Sequence, residues 1–220
     1  MSGAVLDTLA RAGIVPVHAD TDTTAVVEAV RACYAGGVRA FEFADRVPGA
    51  VDIFRELHEV VRAEMPDLAL GAGTVTTVAS AKAFAAAGAT FLVSPVLAEE
   101  VLAWSIASGT PFVPGVVTPT EAWRAHVDGA EVVKLFPAAT FGPGYLKSIL
   151  APLPRLRVLA TGGIKATPAA VEEWLAAGAF GVGLGSDLIP KGRLSSERLA
   201  ALTSACLAIT ASLPPRMQRP

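Results

Sequence analysis

Residues 131–137, Glu131-Val132-Val133-Lys134-Leu135-Phe136-Pro137, form the stretch from which the fold of the chain can be inferred. β-Branched and apolar residues favour a strand, and the proline at its end lacks the N–H that a further ladder hydrogen bond would need. Successive side chains of a strand point to opposite faces, and here both faces are apolar except at Lys134. The pattern predicts a strand that is buried on both sides, which is typical of a parallel sheet.

Lys134 is the one charged side chain in the middle of this predicted strand. Burial among valine and phenylalanine penalises a charged side chain, so we expect a lysine that can react as an amine. A free amine attacks carbonyl carbons and can form a Schiff base. Two structural alternatives stay open: an ion pair with a buried carboxylate, and a side chain whose charged end reaches the edge of the strand. Of the five lysines in the chain, only Lys134 falls inside such a strand.

Predicted strands alternate with predicted helices along the whole chain, at roughly 25 residues per unit. A short helix over residues 4–12 precedes strands predicted at 14–17, 39–43, 68–73, 91–93, 111–114, 131–137, 157–160 and 180–185. The alternation predicts an α/β fold: a (β/α)8 TIM barrel with an extra N-terminal helix, as a single domain over residues 1–220 with a frayed tail at 214–220. A doubly wound open sheet is the alternative, because both folds have the same local pattern.

The composition limits the classes of function. The chain has 220 residues, of which 52% are hydrophobic, and its formal net charge is −2, so we expect a large core and no nucleic-acid surface. We expect no membrane span, because charges, prolines and glycines interrupt every apolar stretch, and no signal peptide, because the first residues have no basic region and no long apolar core. The two cysteines lie far apart, which favours a reduced thiol pair over a disulfide framework, and the three histidines have no metal-ligand spacing. These features predict a cytoplasmic protein that acts on a small molecule without a metal or an organic cofactor.

Glu42 is expected to lie opposite Lys134 if the chain forms a barrel. In Ala40-Phe41-Glu42-Phe43-Ala44 the two phenylalanines share one face, and Glu42 shares the other face with the alanines. The second and sixth strands of an eight-stranded ring are opposite and have the same parity, so their inward side chains can meet in one layer. The pair can be a proton shuttle beside a reactive amine or a structural ion pair, and both interpretations stay open.

Glycines follow the last two strands, in Thr161-Gly162-Gly163 and in Gly183-Leu184-Gly185-Ser186. Glycine lets backbone N–H groups approach an anion, and the loops after strands seven and eight are a frequent phosphate site of TIM barrels. Two tight turns without a ligand are the alternative interpretation. Arg46, just beyond the second strand, can bind a carboxylate through two parallel hydrogen bonds or can lie on the surface.

Taken together, the residues at the strand ends resemble a known family. The motifs are Gly36-Gly37-Val38-Arg39 with Phe41-Glu42, Gly71-Ala72-Gly73-Thr74-Val75, Ser94-Pro95, Pro114-Gly115, Val133-Lys134-Leu135-Phe136-Pro137-Ala138, Thr161-Gly162-Gly163-Ile164 and Gly185-Ser186. On these motifs the chain resembles the class I aldolases that act on 2-dehydro-3-deoxy-6-phosphogluconate (KDPG) and 4-hydroxy-2-oxoglutarate (KHG). The chain departs from the family at Ala44 and Asp45, where the family commonly has threonine followed by leucine or asparagine.

The resemblance implies a homotrimeric TIM barrel that cleaves a 2-oxo acid to pyruvate and an aldehyde, either glyceraldehyde 3-phosphate or glyoxylate. It implies that Lys134 forms the Schiff base with pyruvate and that Glu42 moves protons. The implied substrate-binding residues are Arg46 and Thr74 at the pyruvate carboxylate, Pro95 and Phe136 as pocket walls, and Thr161, Gly162, Gly163, Gly185 and Ser186 around the rest of the substrate and its phosphate.

Two other functions fit the same scaffold. One is another phosphosugar-using enzyme of the fold, an isomerase or a synthase, and the other is a non-catalytic barrel that binds a phosphorylated metabolite. Neither function needs a reactive lysine beside a carboxylate. The presence of both Lys134 and Glu42 therefore favours the aldolase.

Overall fold

Short parallel strands form the centre of the structure, a computed structural model that describes residues 2–213, with side chains from residue 7 onward. The strands are β1 (Ile14–His18), β2 (Ala40–Ala44), β3 (Ala69–Gly73), β4 (Phe91–Val93), β5 (Phe112–Val113), β6 (Gly115–Val116), β7 (Val133–Leu135), β8 (Val158–Thr161) and β9 (Gly181–Leu184). The helices are α1 (Ser2–Ala12), α2 (Thr23–Ala35), α3 (Ala50–Glu64), α4 (Val78–Ala86), α5 (Glu99–Ser108), α6 (Pro119–Val127), α7 (Ala138–Phe141), α8 (Pro143–Leu150), α9 (Pro168–Ala176) and α10 (Ser196–Ser212). The frayed tail predicted at 214–220 lies outside the described residues.

The strands form one sheet in the order β5-β4-β3-β2-β1-β9-β8-β7-β6. Its neighbouring strands are all parallel. Strands β5 and β6 lie at opposite ends of this order, although only Pro114 separates them in the chain. The sheet must therefore curl until its two ends meet, which gives a nearly closed barrel. The predicted TIM-type barrel with an extra N-terminal helix is confirmed, and the open doubly wound sheet is wrong.

The strand predicted over residues 111–114 is divided at Pro114. Its first part, β5, pairs with β4, whereas β6 pairs with β7, and the Pro114 carbonyl accepts a hydrogen bond from the Lys134 N–H at 2.8 Å. Proline has no N–H to continue the first ladder, so the partner strand changes at this residue. The lysine strand is also shorter than the predicted 131–137, because only 133–135 are strand and α7 begins directly after Pro137.

Two apolar layers surround the strands. The inner layer fills the barrel with Val15, Ala40, Ala69, Phe91, Val93, Val113, Val132 and Leu159. Helix α1 adds Leu9 and Ala12 to this layer and packs against β1, β2, β3 and β9. The outer layer lies between the strands and the helices and holds the larger cluster, with Phe41 and Phe43 of β2 in it. Because α1 and the inner apolar residues close the N-terminal end of the barrel, inward-facing polar groups collect at the C-terminal ends of the strands.

Candidate active site

Lys134 and Glu42 meet inside the barrel. Lys134 Nζ lies 3.4 Å from Glu42 Oε1, and the two side chains are 1% and 0% exposed. Strand alternation turns both residues inward, and β7 and β2 are four places apart in the sheet order. The juxtaposition expected from strand parity is confirmed. An ammonium and a carboxylate that are this deeply buried depend on each other, because water solvates neither.

The glycine at position 73 leaves the space that the Glu42 carboxylate occupies. A Cβ on Gly73 would collide with the Glu42 carboxylate, so a larger residue would displace that side chain. The other carboxylate oxygen, Oε2, is buried and makes no hydrogen bond to the part of the chain that the structure describes. Buried carboxylate oxygens without a partner are rare. Oε2 can accept a proton from a hydroxyl group of a substrate beside Lys134.

Aromatic and proline side chains border the lysine. The Phe136 ring centroid lies 5.3 Å from Lys134 Nζ, within the range of a cation–π contact. Gly115 is the partner of Lys134 in the β6–β7 ladder, and a Cβ on it would lie 2.2 Å from the carbonyl carbon of Pro95. Pro95 therefore passes directly over β6, next to the lysine strand. Both residues therefore lie near the lysine strand, and their role as pocket walls stays a prediction.

Thr161 is a second buried polar group of the barrel. Its Oγ1 makes no hydrogen bond within residues 2–213, and a Cβ on its ladder partner Gly183 would lie 2.3 Å from that oxygen. The glycine thus allows the hydroxyl to lean across β9. Together, the Thr161 hydroxyl and Glu42 Oε2 are the unpaired buried side-chain oxygens of the described residues. Both belong to the inward-facing set of side chains.

Arg46 and Thr74 are joined at the ends of β2 and β3. Arg46 Nε donates a hydrogen bond of 2.8 Å to Thr74 Oγ1. Thr74 has a φ of 63°, a left-handed conformation that is unfavourable for a β-branched residue and that occurs mostly at functional sites. Since the bond to Thr74 uses Nε, the terminal nitrogens of Arg46 can still bind a carboxylate.

Asp45 points away from Arg46, although it stands next to it in sequence. Its Oδ2 accepts a hydrogen bond of 3.0 Å from Ser80 Oγ in the first turn of α4, and its N–H donates to Gly73 O. Among the described residues Asp45 and Arg46 form no ion pair. The Asp45 carboxylate is therefore held by the Ser80 hydroxyl. Ser80 gave no signal in the sequence, because the contact joins a loop to the first turn of a helix that is distant in sequence.

The C-terminal ends of β8 and β9 lie side by side, because Thr161 and Gly183 are partners in the ladder. We call the residues after these strands the β8 loop (162–167) and the β9 loop (185–189). The β8 loop leads into α9, and the β9 loop turns back on itself, with two N–H groups donating to the Gly185 carbonyl. The two predicted glycine loops are thus brought together.

The glycines of the β8 loop are required by the backbone. Gly162 and Gly163 have φ angles of 102° and 75°, which glycine adopts without strain. A Cβ on Gly162 would also lie 3.0 Å from the Phe136 ring, so this loop packs against the pocket wall. Within the described part of the chain, the N–H groups of Gly163 and Ser186 donate to no acceptor. Such N–H groups are suited to bind an anion.

His18 has a structural position. It is buried at the end of β1 and is the ladder partner of Phe43, whose ring lies in the outer layer. Burial lowers the pKa of His18, and the nearby charge of Asp20 partly opposes this shift. In the described residues there is no cluster of three or more metal-ligating side chains. No helix in that range is long and apolar enough to cross a membrane.

Known proteins share both the sequence and the fold of this chain. The family model for KDPG and KHG aldolases matches residues 5–205. The chain is 34% identical over 194 residues to the 2-dehydro-3-deoxy-6-phosphogalactonate aldolase of Escherichia coli, covering 88% of each sequence. It is 37% identical over 161 residues to the 2-dehydro-3-deoxy-phosphogluconate aldolase of Treponema pallidum, covering 73% of this chain and 75% of that one.

A solved structure adds a chemical observation. The KDPG aldolase of Legionella pneumophila, captured with pyruvate as a covalent carbinolamine intermediate, superposes with a TM-score of 0.83 at 29% identity, covering 93% of this chain and 97% of that one. Together with the two sequence relatives and the family model, this likeness extends over the barrel and its strand ends. The chain is a class I aldolase, a carbon–carbon lyase that cleaves 2-keto-3-deoxy acids to pyruvate, and it belongs to the KDPG and KHG aldolase family.

Proposed function

We propose that Lys134 is the Schiff-base nucleophile of this aldolase and that Glu42 is its acid–base group. The observation that carries the proposal is the buried pair at 3.4 Å, with one carboxylate oxygen left free for a substrate. A nucleophilic amine needs a nearby group that accepts and returns protons, and Glu42 lies within reach of anything bonded to Lys134 Nζ.

The proposed reaction begins when the free amine of Lys134 attacks C2 of the 2-oxo acid. The resulting carbinolamine loses water and becomes an iminium ion, which is an electron sink. Glu42 takes the proton of the C4 hydroxyl group, the C3–C4 bond breaks, and its electron pair moves into the iminium to form an enamine. The aldehyde leaves, Glu42 returns the proton to C3, and water then hydrolyses the iminium to release pyruvate and Lys134.

We propose that the substrate is a 2-keto-3-deoxy sugar acid with a phosphate at its far end. Arg46, held by Thr74, would bind the carboxylate, and Pro95 and Phe136 would bound the carbon chain. The Thr161 hydroxyl would face the substrate hydroxyl groups. The β8 and β9 loops, with the N–H groups of Gly163 and Ser186, would bind the phosphate. The products would be pyruvate and glyceraldehyde 3-phosphate; KHG, which has no phosphate, would give glyoxylate.

The gluconate and galactonate forms of this substrate are both supported by relatives of comparable identity. They have the same carboxylate, keto group and phosphate, so the groups described above would bind both. A screen of purified protein with each sugar acid, followed by pyruvate release in a coupled assay, separates them. The form with the higher kcat/KM is the better substrate.

We also propose a homotrimer that works in the cytoplasm. Large apolar side chains are exposed on three successive units of the barrel, at Ile106 of α5, Trp123 and Val127 of α6, and Phe141 of α7. An apolar surface of this kind fits an interface between copies of the chain. Both cysteines, at positions 33 and 206, are free thiols, which fits a reducing compartment. Sedimentation of the purified protein, with Trp123→Glu as the variant that should dissociate, tests the trimer.

The decisive experiment traps the intermediate. Protein incubated with pyruvate and borohydride should gain one reduced pyruvyl group, and peptide mapping should place it on Lys134. The Lys134→Arg variant keeps the positive charge but should gain no adduct. An adduct on another lysine, or none on folded protein, would refute the assignment of the nucleophile.

A further inference from the structure

The β8 and β9 loops are tied together by one side chain, that of Asp187. Its Oδ2 accepts a hydrogen bond of 2.8 Å from the N–H of Ala166 in the β8 loop. Its Oδ1 accepts a hydrogen bond of 2.7 Å from Lys165 Nζ in the same loop. Asp187 itself directly follows Ser186 in the β9 loop. The carboxylate therefore spans the gap between the two loops.

The bond to the backbone of Ala166 is the stronger constraint of the two. The Lys165 side chain is 74% exposed and that of Asp187 is 36% exposed, and ion pairs in water contribute little because solvent screens them. A backbone N–H has no freedom to move away from its acceptor without moving the loop. The Ala166 N–H, and after it Lys165, also lower the pKa of Asp187, so the carboxylate is charged at neutral pH.

The tie lies close to the donors that would bind a phosphate. In sequence, Ala166 is three residues after Gly163, and Asp187 is one residue after Ser186. Gly163 and Ser186 are among the loop residues whose N–H groups donate to no acceptor in residues 2–213. Fixing the distance between Ala166 and Asp187 thus fixes the separation of the two donor loops. Both glycines of the β8 loop have left-handed backbones, and without such a tie the loop has many alternative conformations.

A carboxylate at this place works against anion binding by its charge. A negative group near a phosphate raises the free energy of the complex, although the paired Lys165 offsets part of that repulsion. Two opposite effects therefore act on phosphate affinity: the tie orders the donors, and the charge repels the ligand. They can be separated, because asparagine keeps an oxygen acceptor for the Ala166 N–H while it removes the charge.

We propose that Asp187 is a positioning residue for the substrate phosphate, acting through the Ala166 N–H to hold the β8 and β9 loops at the separation that the phosphate needs. The inference rests on the proposed function, because it assigns a role toward the phosphorylated end of the proposed substrate. It assigns Asp187 no part in Schiff-base chemistry. Asp187 touches neither Lys134 nor Glu42.

The test compares Asp187→Ala and Asp187→Asn on a phosphorylated and an unphosphorylated substrate. With KDPG, Asp187→Ala should raise KM by about tenfold or more, the equivalent of one lost hydrogen bond to an ordered loop, and should change kcat little. Asp187→Asn should stay within about threefold of the wild type, because it keeps the acceptor. With KHG, both variants should keep the wild-type KM.

Controls separate this role from general destabilisation and from failure of the proposed function. Glu59→Ala removes a similarly exposed ion pair, with Arg62 on α3, and should leave both KM values unchanged. Calorimetry with inorganic phosphate measures loop binding without catalysis, and Asp187→Ala should weaken it about tenfold. Pyruvate trapping by borohydride reports on Lys134 alone and should be equal in all variants.

Several results would overturn the inference. Tighter phosphate binding by Asp187→Ala would show that charge repulsion outweighs the tie, and an equal loss with both substrates would show a merely structural role. Wild-type protein that binds no inorganic phosphate and prefers KHG would remove the phosphate site itself. Failure of pyruvate trapping in the wild type would refute the Schiff-base proposal, while the phosphate measurements would still decide the role of Asp187.

Discussion

Two lysine–carboxylate pairs in this molecule join the same chemical groups in opposite surroundings. The pair inside the barrel has an N–O distance of 3.4 Å with side chains 1% and 0% exposed, whereas the Lys165–Asp187 pair has 2.7 Å with side chains 74% and 36% exposed. The shorter pair is expected to be the weaker one, because water screens its charges and competes for its hydrogen bonds. Burial, and not the N–O distance, therefore determines which of the two pairs is the stronger.

The two carboxylates also differ in what else supports them. Asp187 accepts a backbone hydrogen bond from Ala166 in addition to its lysine. Glu42 has Lys134 on one oxygen and no hydrogen bond to the other oxygen from the described residues. The pair inside the barrel is thus held by strands, but one of its carboxylate oxygens has no hydrogen-bond partner among the described residues. In the loop pair both carboxylate oxygens have a partner, but the pair lies in loops. An incomplete buried pair on rigid strands is suited to chemistry, and a complete exposed pair is suited to positioning.

The largest expected effect comes from the same substitution at both lysines. Lys134→Met leaves the Glu42 carboxylate buried without a counter-charge and should lower the free energy of unfolding by about 3–5 kcal/mol. It should also reduce cleavage by about 10⁴-fold or more, since the nucleophile is lost. Lys165→Met should lower the free energy of unfolding far less, because water screens the exposed Lys165–Asp187 pair. Urea unfolding of the two variants and the wild type measures the difference. Equal destabilisation would contradict the ranking by burial.

The second effect separates the charge of Glu42 from the shape of its side chain. Glu42→Gln should lower kcat by about 10²- to 10⁴-fold, the usual contribution of general acid–base catalysis. It should still allow a pyruvyl adduct on Lys134, because adduct formation breaks no C–C bond and so does not need the step that Glu42 assists. Steady-state cleavage and borohydride trapping give the two values. Full activity, or complete loss of the adduct, would show that the residue has another role.

Strand periodicity predicted the barrel pair, but it gave no information about the loop pair. Alternation along β2 and β7 fixes which way Glu42 and Lys134 point, and the ring of strands places them opposite one another. Asp187 and Ala166 meet through two loops, which have no period, and Asp45 meets Ser80 between a loop and the first turn of α4. The division at Pro114 was missed for a related reason: it depends on which neighbour each half of the strand pairs with. Residues whose orientation follows from strand alternation were therefore predictable from the sequence, and contacts that loops make were not.

The third effect concerns Thr74, which combines backbone strain with a polar contact. Thr74→Gly should relieve the left-handed conformation at φ 63° and keep or raise the free energy of unfolding, by up to about 1 kcal/mol. It also removes the hydroxyl that accepts from Arg46 Nε, so KM for the 2-oxo acid should rise by about three- to tenfold. Thr74→Ser is the matched control, since it keeps the oxygen. If serine weakens binding as much as glycine does, the contact with Arg46 is not what the position supplies.

The smallest effect is expected for a titratable pair in which only one member is buried, and it is a change in the pH dependence of stability. Burial lowers the pKa of His18 below its usual value of 6.5, and the charge of Asp20 opposes this shift. Below that value the unfolded chain binds a proton that the folded chain resists, so stability should be full above about pH 6.5 and should fall as the pH decreases toward the folded-state pKa. His18→Gln should flatten this part of the pH dependence in thermal unfolding. An unchanged slope in His18→Gln would mean that the charge of Asp20 offsets the effect of burial on the pKa of His18. A partly exposed carboxylate would then serve as the counter-charge of a buried histidine, as Glu42 does for Lys134.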